Sequence, residues 1–177
     1  MIITISGKAG SGKSTIAKLV SQRLNLRHYS TGDLYRQIAK EKGVSIIDLG
    51  KLAEKDKSID EQLDERQKEL GKKDNFVIDG RLSAFFIPHA KLRVFLKAED
   101  KVRADRILKD RRQDEHNKNI QETMQSIEKR ESSERKRYKS YYNVDYCDES
   151  LYNLVIDTTK LSINEVVGRV IQSAKIL

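Results

Sequence analysis

Near its amino end the chain runs Gly7-Lys8-Ala9-Gly10-Ser11-Gly12-Lys13-Ser14-Thr15, which fits the spacing G-x-x-x-x-G-K-[ST]. Glycines at these positions let the backbone curl until successive N–H groups point to one centre. That centre suits phosphate oxygens, and the helix expected behind it adds its positive end. In such a cradle Lys13 reaches the β- and γ-phosphates of a nucleoside triphosphate, and the Ser14 hydroxyl is a ligand for Mg2+. The arrangement works only between a strand and a helix. Ile2, Ile3, Thr4 and Ile5 form a β-rich apolar run in front, and Ile16, Leu19, Val20 and Leu24 recur at helical spacing behind. The segment therefore demands an α/β fold with a phosphate site at the carboxyl end of its first strand.

The rest of the chain continues the alternation. Strands are expected at Arg27 to Ser30, Phe76 to Ile78, Leu92 to Leu96 and Asn153 to Ile156. Only helices are expected from Asp33 to Lys72, with Ile46, Leu49, Leu52 and Ala53 in one stripe and Ile59, Leu63 and Leu70 in another. Ile163, Val166, Val167, Val170, Ile171 and Ala174 mark a carboxyl-terminal helix. From Lys101 to Tyr142 the pattern is helical and very highly charged. Its stripe of Ile120, Met124, Ile127, Tyr138 and Tyr141 is thin and broken by Glu131 and Glu134, which predicts weak packing and easy motion.

With 177 residues, one proline and nine glycines, there is room for one domain and little for a linker. Charged residues are 35% of the chain and the net charge is +8, which suits an anionic partner. Cys147 is the only cysteine, so neither a disulfide within the chain nor a cysteine metal cluster is expected, in keeping with a cytoplasmic setting. His28, His89 and His116 lack ligand spacing and are expected on the surface or in packing. No basic segment precedes Ile2, which argues against a signal peptide, and no apolar run approaches the about 20 residues of a membrane span.

A phosphate loop alone leaves kinase, GTPase and motor ATPase open. The guanine-reading pattern N-K-x-D is absent, so ATP is the expected nucleotide. Ser30-Thr31-Gly32-Asp33-Leu34-Tyr35-Arg36 follows the second strand, and Asp79-Gly80-Arg81 follows the third. In a parallel sheet these strand ends converge, so Asp33, Arg36, Asp79 and Arg81 are expected near the loop. Asp79 is suited to hold Mg2+ with Ser14, and Arg36 and Arg81 to clamp an acceptor phosphate.

S-[TA]-G-D-x-x-R together with D-G-R resembles the nucleoside monophosphate kinases of the P-loop superfamily, relatives of adenylate kinase. The nearest resemblance is to the compact cytidylate kinases typical of archaea. It extends over Asp64-Glu65-Arg66-Gln67, Gly80-Arg81-Leu82-Ser83 and the charged stretch from Arg130 to Tyr142. The resemblance implies an adenylate kinase-like five-stranded parallel sheet in order 2-3-1-4-5. It also implies a single kinase domain with its core in 1–33, 73–110 and 146–177, acceptor-binding helices in 34–72 and a mobile lid in 111–145. By the same resemblance Arg130, Glu134 and Arg137 serve the nucleotide sites, while Arg106, Arg111 and Arg112 end the helix before them and Arg111 is a candidate to bind ATP. Adenylate kinases usually continue D-G-F-P-R, whereas Arg81 here follows Gly80 directly, which counts against AMP.

The expected reaction is ATP plus CMP or dCMP, giving ADP and the diphosphate. An acceptor phosphate needs no general base, so catalysis falls to positioning and to cations: Lys13, Arg36, Arg81, Arg130 and Arg137. Glu134, Asp60 and Asp64 are candidates to receive the cytosine amine, with Arg66 or an arginine of the lid as donor to the ring acceptors, and Asp33 is counted with the acceptor site. The alternatives are a UMP or AMP kinase of the same fold, a kinase of a phosphate-free metabolite such as shikimate, for which Asp33 is the only plausible base, or an ATPase serving RNA or ribosome assembly. The aromatic residues form no stacking pattern, which counts against nucleic acid, and a monomer is expected.

Overall fold

A computed structural model describes residues 1–110 and 119–177 of the chain. Strands β1 (Ile2–Gly7), β2 (Arg27–Ser30), β3 (Phe76–Asp79), β4 (Leu92–Lys97) and β5 (Leu154–Asp157) form one sheet in the order β2-β3-β1-β4-β5. Every neighbouring pair is parallel, as the resemblance implies. A parallel sheet covered on both faces needs strands that are apolar throughout, and β1 is buried along its whole length.

Helices α1 (Lys13–Leu24) and α8 (Ile163–Ile176) cover one face, where Ile16, Val20, Val167 and Val170 pack on Ile3, Ile5, Val94 and Leu96. The alternate residues face the other way. There Ile2, Phe76 and Ile78 meet Leu70 of α4 (Ser58–Gly71) and Ile87, just beyond α5 (Ser83–Phe86). Helices α2 (Thr31–Glu41) and α3 (Ile46–Ala53) join α4 around a separate apolar cluster of Tyr35, Ile38, Leu49, Ala53 and Ile59. After β4 come α6 (Asp100–Lys109) and α7 (Ile120–Tyr142).

Local chemistry sets the ends. Ser30, Ser45, Asn119 and Ser162 each accept a backbone N–H in the first turn of the helix that follows. Asn25 and Asn143 stop α1 and α7 in the left-handed conformation. The strand register matters most for function: Ile5 pairs with Asp79 and Asp79 with Ser30. The turns after β1, β2 and β3 therefore open side by side at one end of the sheet.

Two features depart from the sequence pattern. The short helix α5 was not foreseen, having too few residues for a period. In α7 the buried face is Thr123, Ile127, Glu131, Glu134, Arg137 and Tyr138, while Met124 is 39% exposed. The acids expected to interrupt the packing stripe are part of it, because each meets an arginine. Among the described residues no helix is long and apolar enough to cross a membrane.

Candidate active site

A cleft of about 480 Å3 opens at the carboxyl ends of the strands, with the loop from Ala9 to Thr15 as its floor. Gly7, Gly10 and Gly12 have φ of 148°, 73° and 95°, values that a side chain would strain. The carbonyls of this loop are held from outside. Gly7 O accepts from Arg81 Nη1 at 2.8 Å, Ala9 O from Arg103 Nη1 at 2.9 Å and Ser11 O from Thr158 Oγ1 at 3.2 Å. Lys13 Nζ donates to Lys8 O at 2.8 Å. Burial and then the neighbouring Arg81 guanidinium pull the Lys13 ammonium well below its usual range, against the opposing pull of Asp79 and Glu134.

Asp79 ends β3 and is 2% exposed. Its Oδ2 accepts from Ser14 Oγ at 2.7 Å and from Ser30 Oγ at 3.2 Å, and its Oδ1 lies 2.7 Å from His28 Nε2. Ser14 and Asp79 thus come together as expected. His28 has a more definite place than the sequence suggested, since it steadies that carboxylate from β2.

Arginines line the opposite wall. Glu134 of α7 binds Arg81 Nε through Oε2 at 2.7 Å and Arg130 Nε through Oε1 at 3.1 Å. Burial alone would raise the Glu134 pKa, but Arg81 and Arg130 outweigh it and hold the carboxyl at about 2. Arg81 Nη2 is buried and has no hydrogen-bond partner among the described residues. An acceptor or donor phosphate at this point would satisfy it. Arg36 lines the cleft and pairs with Asp33 one turn earlier on α2. The Asp33 side chain itself is 68% exposed and stands outside the cleft wall.

Deeper in, α4 presents Asp60, Leu63, Asp64 and Gln67, and Tyr35, Leu82 and Tyr138 add apolar surface. Asp60 pairs with Arg137 Nε at 2.8 Å, and Arg137 also donates to Gly50 O at 3.1 Å. Asp64 accepts from the Tyr142 hydroxyl, a neutral donor. Burial raises the Asp64 pKa to about 6, only partly offset by that hydrogen bond. At the other end Arg106, Ile107, Leu161 and Ile163 line the cleft, and Arg106 donates to both Thr158 Oγ1 and Thr158 O. Arg111 and Arg112 lie outside the described residues.

Sequence reasoning missed Arg103, Thr158, Tyr142 and the role of His28. Each acts through a partner more than 50 positions away. The assembled cleft has the glycine-rich loop at one side, cations across from it and a half-apolar recess with carboxylates beyond. That is the equipment for moving a phosphoryl group between two bound phosphates.

The cytidylate kinase-like family matches residues 2–160. The chain is 42% identical over 178 residues to cytidylate kinase of Methanocaldococcus jannaschii, covering 98% of this chain and 97% of that one. It is 40% identical over 162 residues to cytidylate kinase of Pyrococcus horikoshii, covering 92% and 82%. Among solved structures, shikimate kinase from Bacteroides thetaiotaomicron superposes with a TM-score of 0.65 at 18% identity, over 100% of this chain and 99% of that one. At that identity the likeness concerns the fold alone.

Proposed function

The chain belongs to the cytidylate kinase-like family and is a phosphotransferase, and we propose that it carries the γ-phosphoryl group of ATP to the phosphate of CMP or dCMP. The observation that carries this reading is the single cleft shared by the phosphate loop and the arginines of α2, α7 and the turn after β3. A plain ATPase has no use for that second set of cations. Two anionic substrates have.

In this reading the loop N–H groups and Lys13 grip the donor, and Lys13 exchanges the Lys8 carbonyl for phosphate. Adenine occupies the end lined by Arg106, Leu161 and Ile163. Arg36 and Arg81 hold the acceptor phosphate, while Arg130 and Arg137 meet charge on the transferring group. Glu134 keeps Arg81 and Arg130 in place and is already saturated by them. Ser14 and Asp79 suit Mg2+, which takes few protein oxygens and keeps water and substrate phosphate as its other ligands. When bound, the ion supplies neutralisation of the phosphate charge.

The cytosine amine falls to Asp64. Glu134 and Asp60 already carry arginines, whereas Asp64 has a neutral partner and lies beside Leu63 in the recess. An ionised carboxylate accepts from an amine and repels the carbonyl that uracil has there. The separate apolar cluster of α2, α3 and α4 supports their movement as one acceptor-binding unit, with α7 as the described part of the lid expected over 111–145, of which 111–118 lie outside the described residues. A cytoplasmic monomer acting on free nucleotides completes the proposal.

The test is ADP release from Mg-ATP with CMP, dCMP, UMP, AMP or GMP added in turn. CMP or dCMP is expected to raise turnover sharply and AMP hardly at all. Asp64→Asn is expected to lower kcat/KM for CMP about 10- to 100-fold and to change UMP turnover far less. Slow ATP hydrolysis unaffected by every nucleotide would instead make an RNA-linked ATPase the leading idea.

A further inference from the structure

The phosphate loop binds through N–H groups, so the direction in which each of its peptides faces is a functional variable. A trans peptide is planar, and its N–H points opposite to its carbonyl. The chain has no cis peptide bond among the described residues. Whatever holds a loop carbonyl outward therefore aims the next N–H inward. For the Ala9–Gly10 peptide the holder is Arg103, whose Nη1 donates to Ala9 O at 2.9 Å. Arg103 is 2% exposed and stands behind the loop, outside the cleft wall. The backbone of α6 closes on the same spot, since a Cβ at Gly10 would lie 2.5 Å from Arg103 O.

The same nitrogen has a second partner. Arg103 Nη1 also donates to Glu131 Oε1 of α7 at 2.6 Å, while Nη2 is held by Asp100 at 2.6 Å. Glu131 sits next to Arg130 and one turn before Glu134, on the helix that carries the transfer-site cations. One guanidinium nitrogen thus touches both the phosphate loop and α7. A shift of α7 changes the pull on Arg103, and so the aim of the Gly10 N–H.

We propose that Arg103 is a positioning residue that couples the phosphate-loop donor at Gly10 to the seating of α7 through Glu131. The donor cradle is then fully formed only when α7 is in place over the acceptor. This coupling rests on the kinase reading above for its consequence, while its structural part concerns ATP binding alone.

Arg103→Lys keeps the charge but loses the fork, and Glu131→Gln keeps the shape but loses the ionic pull. Each is measured in the full chain for ADP affinity by calorimetry, for kcat and KM with ATP and CMP, and for the Gly10 amide shift on adding ADP. Arg103→Lys is expected to weaken ADP about tenfold and to reduce the Gly10 shift. Glu131→Gln is expected to leave ADP affinity within about twofold and to lower kcat about tenfold. Thermal midpoints that fall while affinity, kcat and the Gly10 shift stay unchanged would make Arg103 merely structural and overturn the proposal. Weaker ADP with Arg103→Lys but an unaltered kcat with Glu131→Gln would overturn the coupling. If the unmodified protein ignores CMP, the acceptor reading fails instead, and the ADP and Gly10 measurements still decide the Arg103 arm.

Discussion

Asp64 and Glu134 are buried carboxylates lining the same cleft, yet their pKa values move apart, to about 6 and about 2. Burial raises both, and Arg81 and Arg130 reverse it only at Glu134. For Asp64 the folded value lies above the ordinary 3.8, so the folded state holds the proton more tightly than the unfolded chain does. Stability from this group is gained as pH falls through about 6 and lost as pH rises through it. Asp64→Asn is accordingly expected to raise the thermal midpoint of the nucleotide-free protein at about pH 8 but not at about pH 4.5. An equal shift at both pH values would mean that the ionised carboxylate carries no penalty. Glu134 behaves oppositely: its contribution is present above the ordinary 4.5 and is lost as pH falls through about 2. At neutral pH Glu134→Gln leaves two arginines facing each other and is expected to cost about 3 kcal/mol in urea unfolding. Added phosphate should recover part of that loss.

At the scale of elements, α7 shows what a sequence pattern can and cannot carry. Its helical span and the shared face of Arg130, Glu134 and Arg137 were legible, because spacing alone decides which residues share a face. Its packing was not. A polar residue counts against burial in any hydrophobic pattern, but Glu131, Glu134 and Arg137 are buried through Arg103, Arg81 and Asp60 from other elements. The apolar stripe was correspondingly misjudged at Met124, which faces out, while Ile127 is 7% exposed. Ile127→Ala is expected to cost about 2–4 kcal/mol and Met124→Gln less than about 0.5 kcal/mol, both read from denaturant midpoints. Equal costs would mean that α7 turns a different face to α3 and α6. The strands were legible for the converse reason, since β1, β3 and β4 are apolar runs, whereas their order followed only from the family resemblance.

For the whole molecule, the cleft joins a sheet with its own core to a helical unit of α2, α3 and α4 with another. Two nucleotides bound across it should draw these parts together. A compound joining adenosine and cytidine through a phosphate chain is expected to reduce the radius of gyration in solution scattering, whereas ADP alone should do so far less. No change with either would argue for a cleft that is already closed. The turns that form the site were legible as motifs, but their support was not, because it arrives from positions 81, 103 and 158. That dispersal has a practical meaning for anyone who would transplant the nine residues from Gly7 to Thr15 into another scaffold. The string would travel without its anchors, and a host lacking three donors around the turn would receive the letters of a nucleotide site but not its shape.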